Sequence, residues 1–600
     1  MGHKRLMPSP NPTDQDILLS VRKPSRYIGS EFNSVYKVIS KDTLNFALCF
    51  PDSYEVGMSH LGIKIIYHLL NKRKDVYCQR CFCPWPDMER VMRQNNIPLF
   101  SLEMKQPLKS FDIIGFSLTY ELAYTNVLNM LELSGIPFFS SQRKGFPLII
   151  AGGHCCSNPE PMAEFIDVFI IGEAEEVILE FVSAVGKFKA QKFFKNTDEA
   201  KLKDELLLEL AQIEGVYVPR FYQSCNEGAT NCRVAPIMPR APESVRRRFV
   251  RNLDDVDFPV RLPVAITEIV HERINLEIMR GCPHGCYFCQ AAFTVTPVRM
   301  RKVDNLLKLA KASYYNSGYD QIGFCALSSA SYPHLKELIA ALYPFCKEKG
   351  LKISFPSLRI EKNFDAQILK TVHDLKKSTL TFAPETGSKR LRTFINKDID
   401  LESLKELVTE AYRLGWQRVK LYFMIGLPTE TEEDLAGIAD LADEFSELKK
   451  TVDGRRGKVN IAVSNFIPRP HTPLQWFGME EVDILEKKQQ FLKERLKAKN
   501  IEADFQNPKM SFLEAYLVRS DRRSHKAILA AFKAGARFDA WTDMFNFGIW
   551  KDAFLGREPE IFGAVHKLRK KEDSLAWEHI NCGYSKDALY AKLKDNVLIC

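Results

Sequence analysis

Hydrophobic positions fall into two stretches in which short apolar runs alternate with longer amphipathic ones. In the first, LNFALCF (44–50), VYCQRCF (76–82), FDIIGFSL (111–118), FPLIIAGG (146–153) and FIDVFIIG (165–172) are nearly continuous apolar runs. Between them SHLGIKIIYHLLN, ELAYTNVLNMLELSG and EAEEVILEFVSAVG carry helical periodicity. Apolar strands separated by helices predict a parallel sheet covered on both faces, with ligands beyond the carboxyl ends of its strands. In the second stretch the strand-like runs are INLEIMRG (274–281), QIGFCAL (321–327), KISFPS (352–357), STLTFAP (378–384), RVKLYFMIG (418–426) and VNIAVSNF (459–466). Helical segments separate them. Six β/α units in succession predict an open or closed α/β barrel whose chemistry lies at the carboxyl ends of the strands.

The expected fold is therefore α/β. A doubly wound, Rossmann-like domain at 44–185 follows a lead-in at 1–43. A linker with some structure of its own spans 186–270. A partial (β/α)6 TIM-type barrel occupies 271–500, and a mixed, α-rich region closes the chain at 501–600.

Composition changes this picture little. At 600 residues the chain exceeds one ordinary core. The 45% hydrophobic and 26% charged content is that of a globular protein. No run approaches the roughly 18 apolar residues of a spanning helix, so no membrane is expected. The 15 cysteines are scattered and no signal-peptide pattern precedes them, which suits a reducing cytoplasm. The net charge of +9 admits an anionic partner without requiring one. The basic stretches 240–251 and 518–526 could contact phosphates; the favoured reading is ordinary solvated helix surface.

The stretch MRGCPHGCYFCQAA (279–292) adds chemistry. Cys282, Cys286 and Cys289 have the spacing C-x3-C-x2-C, directly after the first barrel strand. Structural zinc wants four ligands. His284 could supply a fourth, but the spacing is unusual for zinc and no second C-x2-C lies nearby. Three buried core thiols are the plainer alternative; the Pro-His-Gly insert, a turn that makes side chains converge, argues against it. An iron–sulfur cube takes four ligands in full, so three thiolates leave one iron open to a small molecule.

C-x3-C-x2-C after the first strand of such a barrel resembles the radical SAM superfamily. The resemblance implies a [4Fe-4S] cluster on Cys282, Cys286 and Cys289. Its open iron would chelate S-adenosylmethionine, and reductive cleavage would give a 5′-deoxyadenosyl radical. Phe288 matches the aromatic near the adenine. The superfamily's Gly-Gly-Glu-like motif is replaced here by LSSAS, which makes Ser328 and Ser329 the substitutes. Ser357 and Arg359 at the third strand end, Glu385 in PETGS and Gly426 in MIGLPTET complete the expected contacts with S-adenosylmethionine. Thr386, Ser388 and Thr429–Thr431 could instead be helix caps.

The front domain resembles the cobalamin-binding half of radical SAM proteins. Ser117, Thr119, Gly152, Gly153, Gly172 and Glu173 match its corrin-facing loops. Base-off cobalamin domains carry D-x-H-x-x-G after the first strand; here Asp52 to Gly57 fits that frame with Tyr54 in place of histidine, and His60 is out of register. The domain could alternatively be a scaffold or hold another nucleotide. Cys78, Cys81 and Cys83 read as strand residues, with an auxiliary metal site as the alternative, and Cys600 has no derived role.

Together these features and the resemblance imply a cytoplasmic radical SAM enzyme with cobalamin as a second cofactor, in the manner of methyltransferases acting on unreactive carbon. A reductase or a flavodoxin- or ferredoxin-type protein would donate electrons, and RNA or protein substrates stay open. Two other readings stand beside it: an RNA- or protein-modifying enzyme without cobalamin, and a non-catalytic iron–sulfur regulator.

Overall fold

The computed structural model describes residues 13–194, 199–227, 231–355, 364–375 and 380–597. The first sheet contains β1 (Leu44–Phe50), β2 (Val76–Phe82), β3 (Ile113–Ser117), β4 (Leu148–Gly152), β5 (Val168–Ile170) and β6 (Val216–Tyr217), in the order β2-β1-β3-β4-β5-β6. The first five strands are parallel. All seven residues of β2 and all five of β3 are buried, as expected of strands covered on both faces. The order reverses between β1 and β3, so a crevice opens beyond their carboxyl ends.

β6 lies within the stretch read from sequence as linker, yet it pairs antiparallel with β5 through Phe169 and Tyr217. Two residues are too few for periodicity to mark a strand. Beyond it, β7 (Tyr222–Glu227) and β8 (Asn231–Pro236) form an antiparallel pair. β9 (Val245–Arg246) is followed by the first barrel strand, β10 (Ile274–Glu277).

Two short strands, β11 (Met279–Arg280) and β12 (Arg299–Met300), pair antiparallel and bring together the two ends of the loop that carries the three cysteines. β10, β13 (Gln321–Cys325) and β14 (Lys352–Ser354) form a parallel sheet. β15 (Leu380–Glu385), β16 (Arg418–Ile425), β17 (Lys458–Asn465) and β18 (Ile501–Phe505) form another. Six strands were expected and seven are present among the described residues. β18 belongs to the region read as a mixed tail, because IEADF has a single fully buried position, Ile501, and gives a weak strand signal. The parts of the expected strands at 356–357 and 378–379 lie outside the described residues.

Unlike the front strands, β16 and β17 alternate strictly. Val419, Leu421, Phe423 and Ile425 are buried, whereas Lys420, Tyr422 and Met424 keep accessible surface. Registry puts Lys420 beside Asn460 and Glu502, and Tyr422 beside Ala462 and Asp504. This face keeps a polar, partly accessible side, whereas β2 and β3 of the front sheet are buried along their whole length.

The C-terminal region ties the parts together. β19 (Ile580–Asn581) pairs with β9. Trp541 Nε1 donates to Asp52 at 2.9 Å, and the ring of Phe538 lies 4.7 Å from Trp85. Leu589 and Leu593 of the helix Lys586–Val597 join Tyr287, Phe293, Phe394 and Trp476 in a second core beneath the cysteine loop. Among the described residues, no helix is long and apolar enough to cross a membrane.

Candidate functional site

Gly281 opens the cysteine loop at φ 91°, and a Cβ there would stand 2.6 Å from the Val295 carbonyl, so only glycine fits the closure. Cys286 is buried; Cys282 and Cys289 are half-buried. Burial pushes the Cys289 thiol up, Cys282 and Glu385 add to the rise, and the Ala292 amide and Lys397 oppose it. Among the described residues, no three His, Cys, Asp or Glu side chains converge on a single ion. A cube places each thiolate on its own iron, so the sulfurs have no common centre to share. Three thiols on one loop suit the cube.

The loop meets the next strand end as expected. His284 Nε2 lies 2.7 Å from Ser331 Oγ, which lies 2.7 Å from Ser328 Oγ. Ser329 is fully buried and its hydroxyl has no partner, so it is a polar group available at this strand end.

Glu385 ends β15 at φ 68°, a conformation uncommon for a side chain larger than glycine, and its carboxylate pairs with Lys397. The Lys397 ammonium stands 6.0 Å from the Phe288 ring, which brings two expected contacts, Phe288 and Glu385, to one place. Gly426 differs from expectation. Its φ is 78°, but the space a Cβ would fill is taken by Leu485 and Glu480, and its N–H donates to Glu430 at 2.8 Å. Its glycine character serves packing. Ser357 and Arg359 lie outside the described residues.

The cap alternatives hold at two positions. Ser388 caps the helix Lys389–Phe394. Thr431 forms a capping box with Asp434 on the helix Glu432–Leu448. Thr431→Ala is expected to cost about 1 kcal/mol of stability, read as a shift in the urea midpoint.

A cavity of about 560 Å³ opens at the carboxyl ends of the front strands. Ser117, Thr119, Gly152, Gly153, Gly172 and Glu173 all line it. The glycines differ in purpose. A Cβ on Gly153 would strike the Leu118 carbonyl at 2.4 Å, and one on Gly172 the Arg248 carbonyl at 2.1 Å, so chain packing requires both. At Gly152 the nearest atom is Ile170 Cβ at 3.6 Å, an ordinary contact.

Glu173 is not a free contact. Its carboxylate binds Arg280 at 2.9 Å and Arg299 at 2.7 Å. Arg280 also reaches Glu175 at 2.7 Å and Glu277 at 2.9 Å. Burial alone would raise Glu173; hydrogen bonds from Arg299 and the charges of Arg280 and Arg299 outweigh it and leave its pKa lowered. Arg280, Glu277 and Val295 line the same cavity, so the cavity reaches the root of the cysteine loop.

Tyr54 is absent from this wall. It is buried, and its hydroxyl donates to Glu31 at 3.1 Å. The cavity histidines are His60 and His154. Burial, with Lys64 nearby, pushes the His60 imidazole down to about 4, and its Nδ1 is buried without a partner. A Cβ on Gly62 would lie 2.8 Å from the His60 ring, so that glycine makes room for it.

Other sequence readings resolve structurally. Cys78 and Cys81 are core residues of β2, Cys83 is buried just beyond it, and burial raises all three thiols. Cys600 lies outside the described residues. The basic stretch 518–526 is largely internal: Arg519 is 1% exposed, Arg522 binds Glu160 at 3.0 Å and Arg523 binds Asp521 at 2.6 Å. In 240–251, Arg248 is held by Glu176 and Glu180. These arginines serve internal contacts. Arg280, Glu175, Glu277, Asn396 and Lys397 carried no sequence signal, since only the fold brings them to the site.

Comparison with known proteins agrees with the loop. Residues 276–442 match the profile of the radical SAM superfamily, and 62–219 match that of the N-terminal part of radical SAM proteins. An uncharacterised protein of Methanocaldococcus jannaschii is 29% identical over 527 residues, spanning 85% of this chain and 99% of that protein. An uncharacterised methyltransferase of Pyrococcus horikoshii is 23% identical over 203 residues, 33% of this chain and 43% of that one. Among solved structures, the radical S-adenosylmethionine methyltransferase TsrM of Kitasatospora setae, with cobalamin and a [4Fe-4S] cluster, superposes with a TM-score of 0.47 at 12% identity over 74% of this chain and 78% of that one. The cobalamin-dependent S-adenosylmethionine radical enzyme OxsB superposes with a TM-score of 0.47 at 14% identity over 93% of this chain and 80% of that one. With the superfamily's own profile beginning in β10 and running through the three-cysteine loop, residues 276–442 are a radical SAM domain.

Proposed function

We propose that this chain holds a [4Fe-4S] cluster on Cys282, Cys286 and Cys289, binds S-adenosylmethionine at the open iron, and places cobalamin in the front cavity to methylate an unreactive carbon. The observation that carries the reading is the shared wall: one cavity is lined both by the strand-end loops of the front sheet and by Arg280, Glu277 and Val295 at the root of the cysteine loop. When bound, the reduced cluster supplies the electron that cleaves S-adenosylmethionine, and cobalamin supplies a transferable methyl group.

The chain's own residues bind and orient. Ser328, Ser329 and Glu385 offer polar groups at strand ends beside the loop, and Phe288 offers an aromatic face. The apolar wall of Phe46, Leu48, Ile150 and Ile170 would exclude water from whatever enters the front cavity. His60 presents a neutral imidazole there, the form a metal requires. His60→Ala is expected to leave cobalamin bound and to change its visible spectrum. An identical spectrum would show that His60 is not a ligand to the cobalt.

The test of the reading is anaerobic. Protein reconstituted with iron and sulfide, given cobalamin, a reductant or a flavodoxin-type donor, and S-adenosylmethionine should form 5′-deoxyadenosine. A loaded cluster that forms none would overturn the enzyme reading. Cleavage without any retained cobalamin would favour a radical enzyme whose front domain is a scaffold, with RNA or protein as candidate substrates.

A further inference from the structure

The segment after the helix Lys389–Phe394 touches the cysteine loop at three successive residues. Ile395 accepts a hydrogen bond from the Tyr287 N–H at 2.9 Å. Asn396 Nδ2 donates to the carbonyls of His284 and Gly285, at 3.0 and 2.9 Å. Lys397 is buried, pairs with Glu385 and stands 6.0 Å from the Phe288 ring. Together the contacts cover the loop from 284 to 288, between the first and third cysteines.

Asparagine suits its position for two reasons. Asn396 has φ 54°, and its N–H reaches the Thr393 carbonyl at 3.0 Å, so it is the left-handed residue that ends the helix. Asparagine is among the few residues besides glycine that adopt this conformation readily. Glycine would keep the backbone but lose the side-chain donors; Asn396 supplies both. Gly285 needs its own left-handed conformation, at φ 63°, and the nearest atom to a Cβ there would be Asn396 Nδ2. The turn and its clamp are thus shaped to each other across more than a hundred residues of sequence.

We infer that Ile395–Asn396–Lys397 is a clamp that sets the shape and charge of the cluster loop, with Asn396 as a positioning residue for the three thiolates and Lys397 as the buried cation beside Phe288, the residue before the third. Groups that orient metal ligands contribute to retention of the metal although they never touch it. A buried cation near a cluster stabilises the reduced, more negative state. The inference rests on the iron–sulfur reading of the site.

The test uses the full-length chain, reconstituted without oxygen, in four variants: Asn396→Gly, Asn396→Asp, Lys397→Met and Lys397→Arg. Asn396→Gly keeps the left-handed backbone and removes the donors. It should lose iron to a chelator about tenfold faster than wild type while the metal-free protein unfolds at the same urea concentration. Asn396→Asp turns the donors into acceptors facing two carbonyls and should lose iron at least as fast. Lys397→Met should lower the cluster's midpoint potential, by about tenfold in the reduced-to-oxidised ratio or about 59 mV for one electron; Lys397→Arg should restore it. Equal iron loss in wild type and both Asn396 variants, or an unchanged potential in Lys397→Met, overturns the clamp while leaving the cluster in place. A wild type that takes up no cluster overturns the clamp and the site's reading together.

Discussion

Cys286→Ala is expected to abolish both the cluster and the cleavage of S-adenosylmethionine, with 5′-deoxyadenosine falling on the order of 10³-fold or more, equivalent to about 4 kcal/mol. Cys286 is the most enclosed of the three thiols and the middle one of the loop. Its carbonyl accepts the N–H of Cys289 at 3.0 Å, so the backbone already fixes the two ligands relative to each other. Removing the sulfur leaves two thiolates for four irons. Alanine fills nearly the same volume and asks nothing new of the backbone, so the fold should survive. The control is Cys325→Ala. That thiol sits half-buried at the end of β13, close to the site, and burial pushes it up to about 11, so it is a neutral thiol outside the loop. Iron content and 5′-deoxyadenosine should be unchanged in this control. If Cys286→Ala retained its iron, or Cys325→Ala lost it, the assignment of ligands would fail.

These cysteines stand out in sequence because the proposed ligands are local, and a spacing within eight residues does not depend on the fold. The six front-cavity residues were legible for a different reason. A parallel sheet delivers every strand-to-helix loop to one edge, so residues far apart in sequence converge once the strands are recognised. What sequence could not show is which of them are already engaged. Glu173 lines the cavity as expected, yet its carboxylate is held by Arg280 and Arg299, more than a hundred residues onward. The D-x-Y-x-x-G frame misled in a similar way. Register alone directs attention to Tyr54, but the short helix Tyr54–Ser59 turns that side chain toward Glu31 and leaves His60 at the cavity. Gly426 shows the same limit: a positive φ is readable as a possibility, whereas whether a ligand or Leu485 occupies the space is a matter of packing.

Arg280→Met is expected to destabilise the protein by about 3–5 kcal/mol, the usual cost of removing one partner from a buried charge cluster. Arg280 and Glu173 keep only 13% and 11% of their side-chain surfaces, so solvent screens them weakly. The guanidinium answers three carboxylates at once, Glu173, Glu175 and Glu277, and Arg299 shares the first. Methionine matches the stem and leaves Glu175 without its partner. Arg280→Lys should recover only part of the loss, because a single ammonium cannot reproduce a planar fork aimed at three acids. The pH dependence gives a second signature. Glu173 is held below its ordinary value of 4.5, so folding gains stability from it above that value and loses it as pH falls through the lowered one. With Arg280 gone the shift shrinks, and the acid limb of the stability curve below about pH 4.5 should flatten. The consequence for function follows from position. Arg280 is two residues from Cys282, pairs with β12 across the neck of the loop and lines the front cavity. The same side chain therefore fixes the cysteine loop to the front domain. Arg280→Met should lose iron faster and hold cobalamin less tightly, where an arginine serving stability alone would leave cofactor retention untouched in whatever fraction stays folded. A variant with wild-type urea midpoints at pH 4 and pH 7 would show that the three acids find other partners, and that the two halves of the site are not joined here.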